Sequence, residues 1–275
     1  MIPLEDNFND ILGKAQRGLK LSDERLAQAA QCSPEELREA RAGRFDERVV
    51  RRLAPVLGLG ADTLADIGKG LWRPAPRTLD GLAPFNTPFD DMTVNAYLVW
   101  DPRTQQAAAF DTGSDSDGIV EFARRHNLAV KFVFLTHTHT DHIYDLARLK
   151  KATGATALVS RLEPTDDAAS FAAGETFQIG ALQVGTRLTS GHSRGGTTYV
   201  ITGLEQPLAI VGDALFAGSM GGGAVSYEDA LRTNRSQIFS LPDDTIICPG
   251  HGPLTTVAEE KQHNPFFPEF AQARH

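Results

Sequence analysis

The stretch FLTHTHTDHIYDL, residues 134–146, contains three of the eight histidines of this 275-residue chain and two of its aspartates. Imidazoles and carboxylates are costly to bury without a partner, and a solvated loop gives no reason to cluster them. In an extended backbone alternate side chains share a face, so His137, His139 and Asp141 can point to one side as a strand ends. A helical pattern begins at Asp141, and the turn it requires can direct Asp141 and His142 to a second point nearby. The stretch therefore predicts a metal centre with room for two ions ~3.5 to 4 Å apart.

Three further residues follow strand-like segments elsewhere and are candidates to complete this centre. His192 lies in TSGHSRGG, where glycines permit a close approach of the backbone. Asp213 ends the apolar segment PLAIVGD, where a carboxylate is costly to bury unless a cation meets it. His251 lies between two glycines in CPGHG. Loops that follow strands are where binding sites are commonly built, so we predict that these residues converge with residues 137–142.

The composition is that of an ordinary globular protein, with 41% apolar and 23% charged residues. The formal net charge of −8 argues against a general binder of polyanions and favours a small-molecule substrate. Residues 76–275 carry 15 Lys and Arg against 23 Asp and Glu, which also argues against a nucleic-acid substrate.

The expected location is the cytoplasm. The two cysteines, Cys32 and Cys248, lie far apart in the sequence and do not indicate a disulfide framework. The acidic start MIPLEDNFNDILGK is unlike a signal peptide, and no run of ~18 apolar residues predicts a membrane span.

Residues 1–72 are predicted to form a small all-α domain, because short helical patterns follow one another from Phe8 to about Gly70. Several residues stand where helix starts are expected: Ser22, Ser33, Asp46 and the pair Ala61 and Asp62 as caps, and Pro34 at a first helical position. The segment LWRPAPRTLDGLAPFNTP contains four prolines and is interpreted as a linker or an extended entry segment. We therefore place a domain boundary near Trp72.

Residues 73–275 alternate between strand-like and helix-like segments, which predicts an α/β domain. Strands outnumber helices, as in the five segments ETFQIG, LQVGTRLTSG, TTYVITG, PLAIVGD and DTIICPG with one helical piece among them. This ratio favours a layered α/β/β/α body over a doubly wound sheet.

These residues resemble the metallo-β-lactamase fold superfamily, in which an HxHxDH motif is followed by a single His, a bridging Asp and a final His. The resemblance covers roughly residues 80–270 and includes VNAYLV, AAAFDTG and VGDALFAGS. Within the superfamily the chain is most similar to the glyoxalase II-like (hydroxyacylglutathione hydrolase-like) hydrolases. The segments that carry this similarity are TSGHSRGGTTYVI, GDALFAGSMGG and PDDTIICPGHGPLTTVAEEKQHNPFF.

The resemblance implies an αββα sandwich with two divalent metal ions, Zn²⁺ by expectation and Fe²⁺ or Mn²⁺ as alternatives. The implied sets are His137, His139 and His192 for one metal, Asp141, His142 and His251 for the other, Asp213 as a bridge, and Asp111 as a tether for the HTHTDH loop. Asp141 is also implied as the catalytic residue that orients the attacking water. The segment MGGGAVSY departs from the Arg-Thr-Asp-like segment of close relatives, which leaves the substrate open.

Three functions compete. A thiolate leaves easily because a thiol has a pKa of ~8.5, and no additional acid stands out in the motifs, so a thioester such as an acylglutathione is favoured for a hydrolase. A lactone is an alternative substrate. A persulfide dioxygenase would use one iron held by His137, His192 and Asp213, since two His and a carboxylate suit non-haem Fe²⁺.

The third function is a metal-sensing DNA-binding regulator, because residues 21–67 resemble a phage-repressor type of helix-turn-helix. Residues 1–75 carry 12 Lys and Arg and 12 Asp and Glu, so they lack the positive excess that gives affinity for phosphates. A helical arm that mediates homodimerisation or covers the active site is the preferred interpretation.

Two cations are weaker candidates. Arg194 and Lys261 could hold a substrate carboxylate, but ordinary solvated charges are expected equally often at such positions.

Overall fold

The computed structural model describes residues 2–271, and its strands form two mixed sheets. The strands are β1 (Leu82–Phe89), β2 (Met92–Trp100), β3 (Gln106–Phe110), β4 (Ala129–Phe134), β5 (Thr156–Ser160), β6 (Ala169–Phe171), β7 (Thr176–Ile179), β8 (Leu182–Leu188), β9 (Thr197–Thr202), β10 (Leu208–Gly212), β11 (Ile246–Pro249) and β12 (Thr255–Thr256). Sheet A has the order β1-β2-β3-β4-β5-β6, and sheet B has the order β12-β11-β10-β9-β8-β7. The parallel pairs are β3 with β4, β4 with β5, β5 with β6 and β10 with β11.

Helices cover both outer faces of the two sheets. They are α1 (Phe8–Gly18), α2 (Asp23–Ala29), α3 (Pro34–Arg41), α4 (Glu47–Val56), α5 (Ala61–Gly68), α6 (Asp117–Arg125), α7 (Thr140–Ile143), α8 (Leu146–Thr153), α9 (Tyr227–Thr233), α10 (Val257–His263) and α11 (Pro268–Ala271), with a π-helical turn at Asn234–Ile238. The predicted αββα sandwich with helices at its N-terminal side is thus confirmed.

Three buried apolar clusters hold these layers together. Phe110 and Phe134 of sheet A meet Tyr199 and Ile210 of sheet B between the two sheets. On the outer face of sheet A, α6 and α8 bury their apolar sides against alternate strand residues. Because successive strand residues face opposite sides, the strands that line both clusters read as nearly continuous apolar runs.

The third cluster lies on the outer face of sheet B and includes the N-terminal helices. Side chains of α1 and α4, such as Ile11 and Leu53, are buried in this cluster. They share it with Val211 of β10, with Leu215, which follows β10, and with Phe267 near the C-terminus. The helical segment therefore shares an apolar core with the sheet that carries Asp213. The domain boundary near Trp72 stays a prediction.

The helix starts of this segment follow the expected chemistry with one exception. Ser22 accepts a hydrogen bond from the backbone of Arg25, and Ser33 forms a capping box with Glu36. Asp46 and Pro34 also stand at the predicted positions. The prediction of a cap at Ala61 and Asp62 is wrong, because Gly60 precedes the helix and both residues lie in its first turn.

The proline-rich segment is only partly a linker. Its second half forms β1, with Pro84 and Pro88 paired to Tyr97 and Thr93 of β2. Because β1 is an edge strand, a residue without an N–H group is tolerated there. In residues 2–271 no helix is long and apolar enough to span a bilayer.

Candidate metal centre

The predicted ligand residues lie at the ends of strands on one rim of the two sheets. His137 and His139 follow β4 in an irregular segment, and Asp141 and His142 lie in the short helix α7. His192 follows β8, Asp213 follows β10 and His251 follows β11. Strand β4 ends at Phe134, earlier than the sequence suggested, but the turn expected at Asp141 is present as α7.

One group of three imidazoles is formed by His137, His139 and His192. The Nε2 atom of His137 lies 3.0 Å from Nδ1 of His139, which lies 3.0 Å from Nε2 of His192. His137 is buried, His192 is partly exposed and His139 is exposed, so this group lies between the protein interior and an open cleft. Three nitrogens that converge in this way are a donor set suited to a zinc or iron ion.

A second group consists of Asp141, His142 and His251. The Oδ2 atom of Asp141 lies 3.4 Å from Nε2 of His142 and 3.3 Å from Nε2 of His251. Both histidines are buried, whereas Asp141 is partly exposed. This group offers two nitrogens and one carboxylate to a cation.

Asp213 lies between the two groups. Its Oδ1 atom is 3.2 Å from Nε2 of His142, and its Oδ2 atom is 3.4 Å from Nε2 of His192 and 3.5 Å from Nε2 of His251. The two carboxylate oxygens therefore face histidines of both groups, which is the position that a bridging ligand requires.

Several of these imidazoles are oriented by a hydrogen bond from the nitrogen that faces away from the centre. The Nδ1 atom of His192 lies 3.1 Å from the carbonyl of Gly222, and that of His251 lies 2.7 Å from the carbonyl of Thr93. Donation to these carbonyls fixes the orientation of each ring and directs Nε2 toward the centre, where it could bind a cation.

Asp111 fixes the loop that carries the HTHTDH motif. It accepts hydrogen bonds from the backbone and hydroxyl of Thr136, at 2.7 and 2.8 Å, and lies 2.8 Å from Nδ1 of His142. The Thr136 hydroxyl is also 3.0 Å from Nδ1 of His137. Asp111 adopts φ 57°, a left-handed conformation that aspartate tolerates better than most residues. Asp111 thus contacts both Thr136 and His142 of the motif loop, and its role as a tether stays a prediction.

Electrostatics favour positive charge on His142 and His251, whereas burial lowers the pKa of His137 and of His192. Burial opposes charge on Asp213, His142 and His251, but their mutual attraction lowers the pKa of Asp213 well below its ordinary value. The same attraction, together with Asp111 for His142 and Asp141 for His251, raises the pKa of both imidazoles. A metal ion that binds here would displace protons from these imidazoles.

The unsatisfied atoms provide a test of whether a metal fits. Six buried side-chain atoms of residues 2–271 have no partner in hydrogen-bonding geometry, and two of them, Nε2 of His142 and Oδ1 of Asp213, lie 3.2 Å apart in the centre. Buried polar atoms are rarely left in this state. Together with the nitrogen-rich donor set, this shows that the residues fit a centre for two divalent cations.

The sequence family described as the metallo-beta-lactamase superfamily matches residues 89–251, more than half of the chain. The chain belongs to the metallo-beta-lactamase superfamily. The match includes both groups of candidate ligands and leaves helices α1–α5 outside it.

Relatives point to a metallo-hydrolase of the superfamily. A probable metallo-hydrolase of Streptococcus pyogenes serotype M6 is 30% identical over 199 residues, which cover 62% of this chain and 84% of that protein. The hydroxyacylglutathione hydrolase GloC of Haemophilus influenzae is 27% identical over 197 residues, covering 62% of this chain and 92% of GloC. The crystal structure of ETHE1 from Myxococcus xanthus superposes with a TM-score of 0.59 at 25% identity, covering 70% of this chain and 90% of ETHE1.

The two weaker sequence candidates lie differently from the predicted ligands. Arg194 is exposed, two residues after His192 in the same loop. Lys261 lies on α10, and its ammonium group is 2.7 Å from the carboxylate of Asp243. Its charge is thus already matched on the surface. Binding of a substrate by either residue stays a prediction.

Sequence reasoning missed Glu163, which links two loops of this metallo-beta-lactamase superfamily centre. Its carboxylate accepts hydrogen bonds from the Thr138 hydroxyl at 2.7 Å and from the Gly195 amide at 2.9 Å. Thr138 precedes His139, and Gly195 belongs to the loop of His192. Burial raises the pKa of Glu163, but these hydrogen bonds lower it overall and keep the carboxylate charged. No local sequence signal marks this residue, because its partners are distant in the chain.

Replacing Glu163 by alanine is expected to weaken metal binding by about 10- to 100-fold, the usual range for loss of a group that orients ligands. The two loops would lose their connection, so His139 and His192 would no longer be held 3.0 Å apart. Competition with a chelator measures this affinity. Glu163→Gln should restore part of it, and Glu205→Ala, at an exposed position, should change nothing. Equal affinity in Glu163→Ala and the unmodified protein would contradict the assignment.

Proposed function

We propose that this protein hydrolyses a small thioester of the acylglutathione kind, using two divalent metal ions. The observation that carries the proposal is the position of Asp213, whose two oxygens face both ligand groups. Zn²⁺ is the expected metal, with Fe²⁺ or Mn²⁺ as alternatives, because imidazoles provide most of the donors. The proposed ligands are His137, His139 and His192, then Asp141, His142 and His251, with Asp213 shared.

The metal pair, when bound, would lower the pKa of a water toward ~7 and polarise the substrate carbonyl. Asp141 would orient the attacking water, and its partly buried carboxylate in the second group supports this role. Asp111 and the carbonyls of Thr93 and Gly222 contact the Nδ1 atoms of His142, His251 and His192 and hold these imidazoles in position.

The cleft beside the centre has a volume of 530 Å³, within the usual range for small ligands. Its rim includes Phe89 at the end of β1, Met92 at the start of β2, and Thr138 and Thr140 from the motif loop. The carboxylates among its lining residues are Asp90, Asp91, Asp141 and Asp213. A substrate whose leaving group needs no strong acid, such as a thiolate, suits this lining.

The test is to count metals in the purified protein and to assay acylglutathione thioesters and lactones. Two metal ions per chain and thioester turnover that a chelator removes and added metal restores would support the proposal. Turnover of lactones only would overturn the thioester assignment. Absence of turnover with two metals bound would overturn it as well.

A persulfide dioxygenase is the second candidate, and it would use one iron held by His137, His192 and Asp213. Nε2 of His192 lies 3.4 Å from Oδ2 of Asp213, and ETHE1 is among the solved structures to which the chain is similar. A single iron per chain with oxygen uptake on glutathione persulfide would favour this candidate over the hydrolase.

A role in binding DNA is not proposed for the helix-turn-helix-like segment. The three acidic residues of α3 are each matched by an arginine, as in the pair Glu36 and Arg52 at 2.9 Å, so the helix presents paired charges. We propose instead that the protein acts on a small molecule in the cytoplasm. A homodimer stays a prediction.

A further inference from the structure

A second cleft, of 730 Å³, lies between the C-terminal end of α1 and residues 222–228. Three cations line it from the helical segment: Lys14, Arg17 and Lys20. Glu228 is the acidic residue on the opposite wall. The cleft therefore lies between the N-terminal helices and a loop of the metal-binding domain. Its helical wall is positively charged.

Two of the three cations are available to a ligand. Lys14 already pairs with Asp6 and donates to the carbonyl of Met220 at 2.9 Å. Arg17 and Lys20 are exposed, and within residues 2–271 neither has a carboxylate within 4.0 Å. All five arginines of α3 and α4 do have such a partner, whereas Arg17 and Lys20 leave their charge available at the wall of the cleft.

Close contacts fix the shape of this cleft. The ring of Tyr227 lies directly on Gly18, where an added Cβ would come within 2.2 Å of the ring. An added Cβ at Gly13 would lie 3.1 Å from the guanidinium of Arg17, which folds back along α1. The absence of side chains at these two glycines therefore sets the distance between α1 and the loop and leaves room for the arginine.

The cleft adjoins the metal centre through one hydrogen bond. Gly222 and Gly223 belong to its wall, and the carbonyl of Gly222 lies 3.1 Å from Nδ1 of His192. The opposite nitrogen of His192 faces the other candidate ligands. The glycine segment and the ring of His192 thus separate the cleft from the metal centre, and a substrate that occupies both would have to pass over this segment.

We propose that Arg17 and Lys20 bind the anionic end of the substrate, a carboxylate or a phosphate, while its thioester lies at the metal centre. This inference rests on the proposed thioester hydrolysis and deepens it. The segment MGGGAVSY carries no charged side chain, and Glu228, which follows it, is acidic, so recognition of an anion falls to the helical segment. Guanidinium and ammonium groups form strong charge-assisted hydrogen bonds with either kind of anion.

The test compares thioesters that share one acyl group and differ in the thiol, which carries a carboxylate, a phosphate or a neutral amide. In the metal-loaded double variant Arg17→Ala/Lys20→Ala, KM for the preferred charged thioester should rise about tenfold, the size expected for lost charge-assisted contacts. The kcat value and KM for the neutral thioester should stay within about twofold. The thioester that shows the selective rise in KM identifies whether the site binds a carboxylate or a phosphate.

Arg25→Ala is the matched control, since Arg25 is an exposed arginine on α2 that does not line the cleft. A similar rise in KM for all three thioesters, or the same rise in the control, would overturn the proposal. Thermal unfolding of each variant should match that of the unmodified protein, because the substituted side chains are exposed.

A direct binding measurement separates this proposal from the proposed reaction. In the zinc-loaded protein labelled with ¹⁵N, the Nε–H signal of Arg17 is identified by its absence from Arg17→Ala. Inorganic phosphate should shift this signal in a saturable way and leave that of Arg25 unchanged. Equal shifts at both arginines would overturn the anion site even if thioesters are hydrolysed. Saturation without any thioester turnover would support the site and overturn the proposed reaction alone.

Discussion

Asp213→Asn is expected to deprive the protein of both metal ions and to lower kcat/KM for the proposed thioester by more than about 100-fold. Loss of a residue that only orients a metal ligand costs up to about 100-fold. A larger loss is expected here because Asp213 itself faces both ligand groups. The amide has nearly the same size as the carboxylate but no charge, so it cannot balance two cations between His142, His192 and His251. Metal analysis after dialysis, followed by kinetics, measures both effects.

Asp243→Asn is the matched control for this variant. Asp243 is exposed and pairs with Lys261, away from the ligand groups. Its amide should keep two metal ions and full activity. If Asp213→Asn also retains two metal ions, Asp213 is not the shared ligand and the arrangement proposed for the centre is wrong.

His251→Ala is expected to reduce the metal content from two ions to one and to remove thioester hydrolysis, by more than about 100-fold. The side chain of His251 provides one of three donors in the second group, at 3.3 Å from Asp141. The group of His137, His139 and His192 stays intact in this variant. One metal ion should therefore persist where two were bound.

The same variant separates the two candidate enzymes. A dioxygenase that depends on His137, His192 and Asp213 would keep its iron and its oxygen uptake in His251→Ala and lose both in His192→Ala. A hydrolase with two metals would lose activity in both variants. His126→Ala controls for the loss of an imidazole, since His126 is exposed and stacks on Phe122 away from the centre.

Much of the centre could be predicted because its residues occupy positions that the strands determine. Asp213 and His251 follow β10 and β11, which are parallel neighbours, so their ends meet at the same edge. The HTHTDH spacing also indicated the turn at Asp141. The alternation of side chains along a strand and the position where the strand ends can be predicted from a short segment of sequence. Neither prediction requires the conformation of the loops.

The remaining features depend on contacts between distant loops. Glu163 touches the loops of His139 and His192, and the carbonyl of Thr93 orients His251 from β2. Backbone carbonyls leave no trace in a sequence, and a single glutamate in a loop is most often a solvated surface charge. Strand β1 was also hard to predict from the sequence. Its prolines are tolerated only because the strand lies at the edge of the sheet, and that position depends on the fold.

Removal of the N-terminal helices would uncover apolar side chains on the outer face of sheet B, including Val211 and Leu215. It would also leave Ser219 and the carbonyl of Met220 without their partners Asp6 and Lys14. Deletion of the helical segment would therefore leave an exposed apolar patch, which favours aggregation. The stability of the N-terminal helices and that of the loop after Asp213 therefore depend on each other.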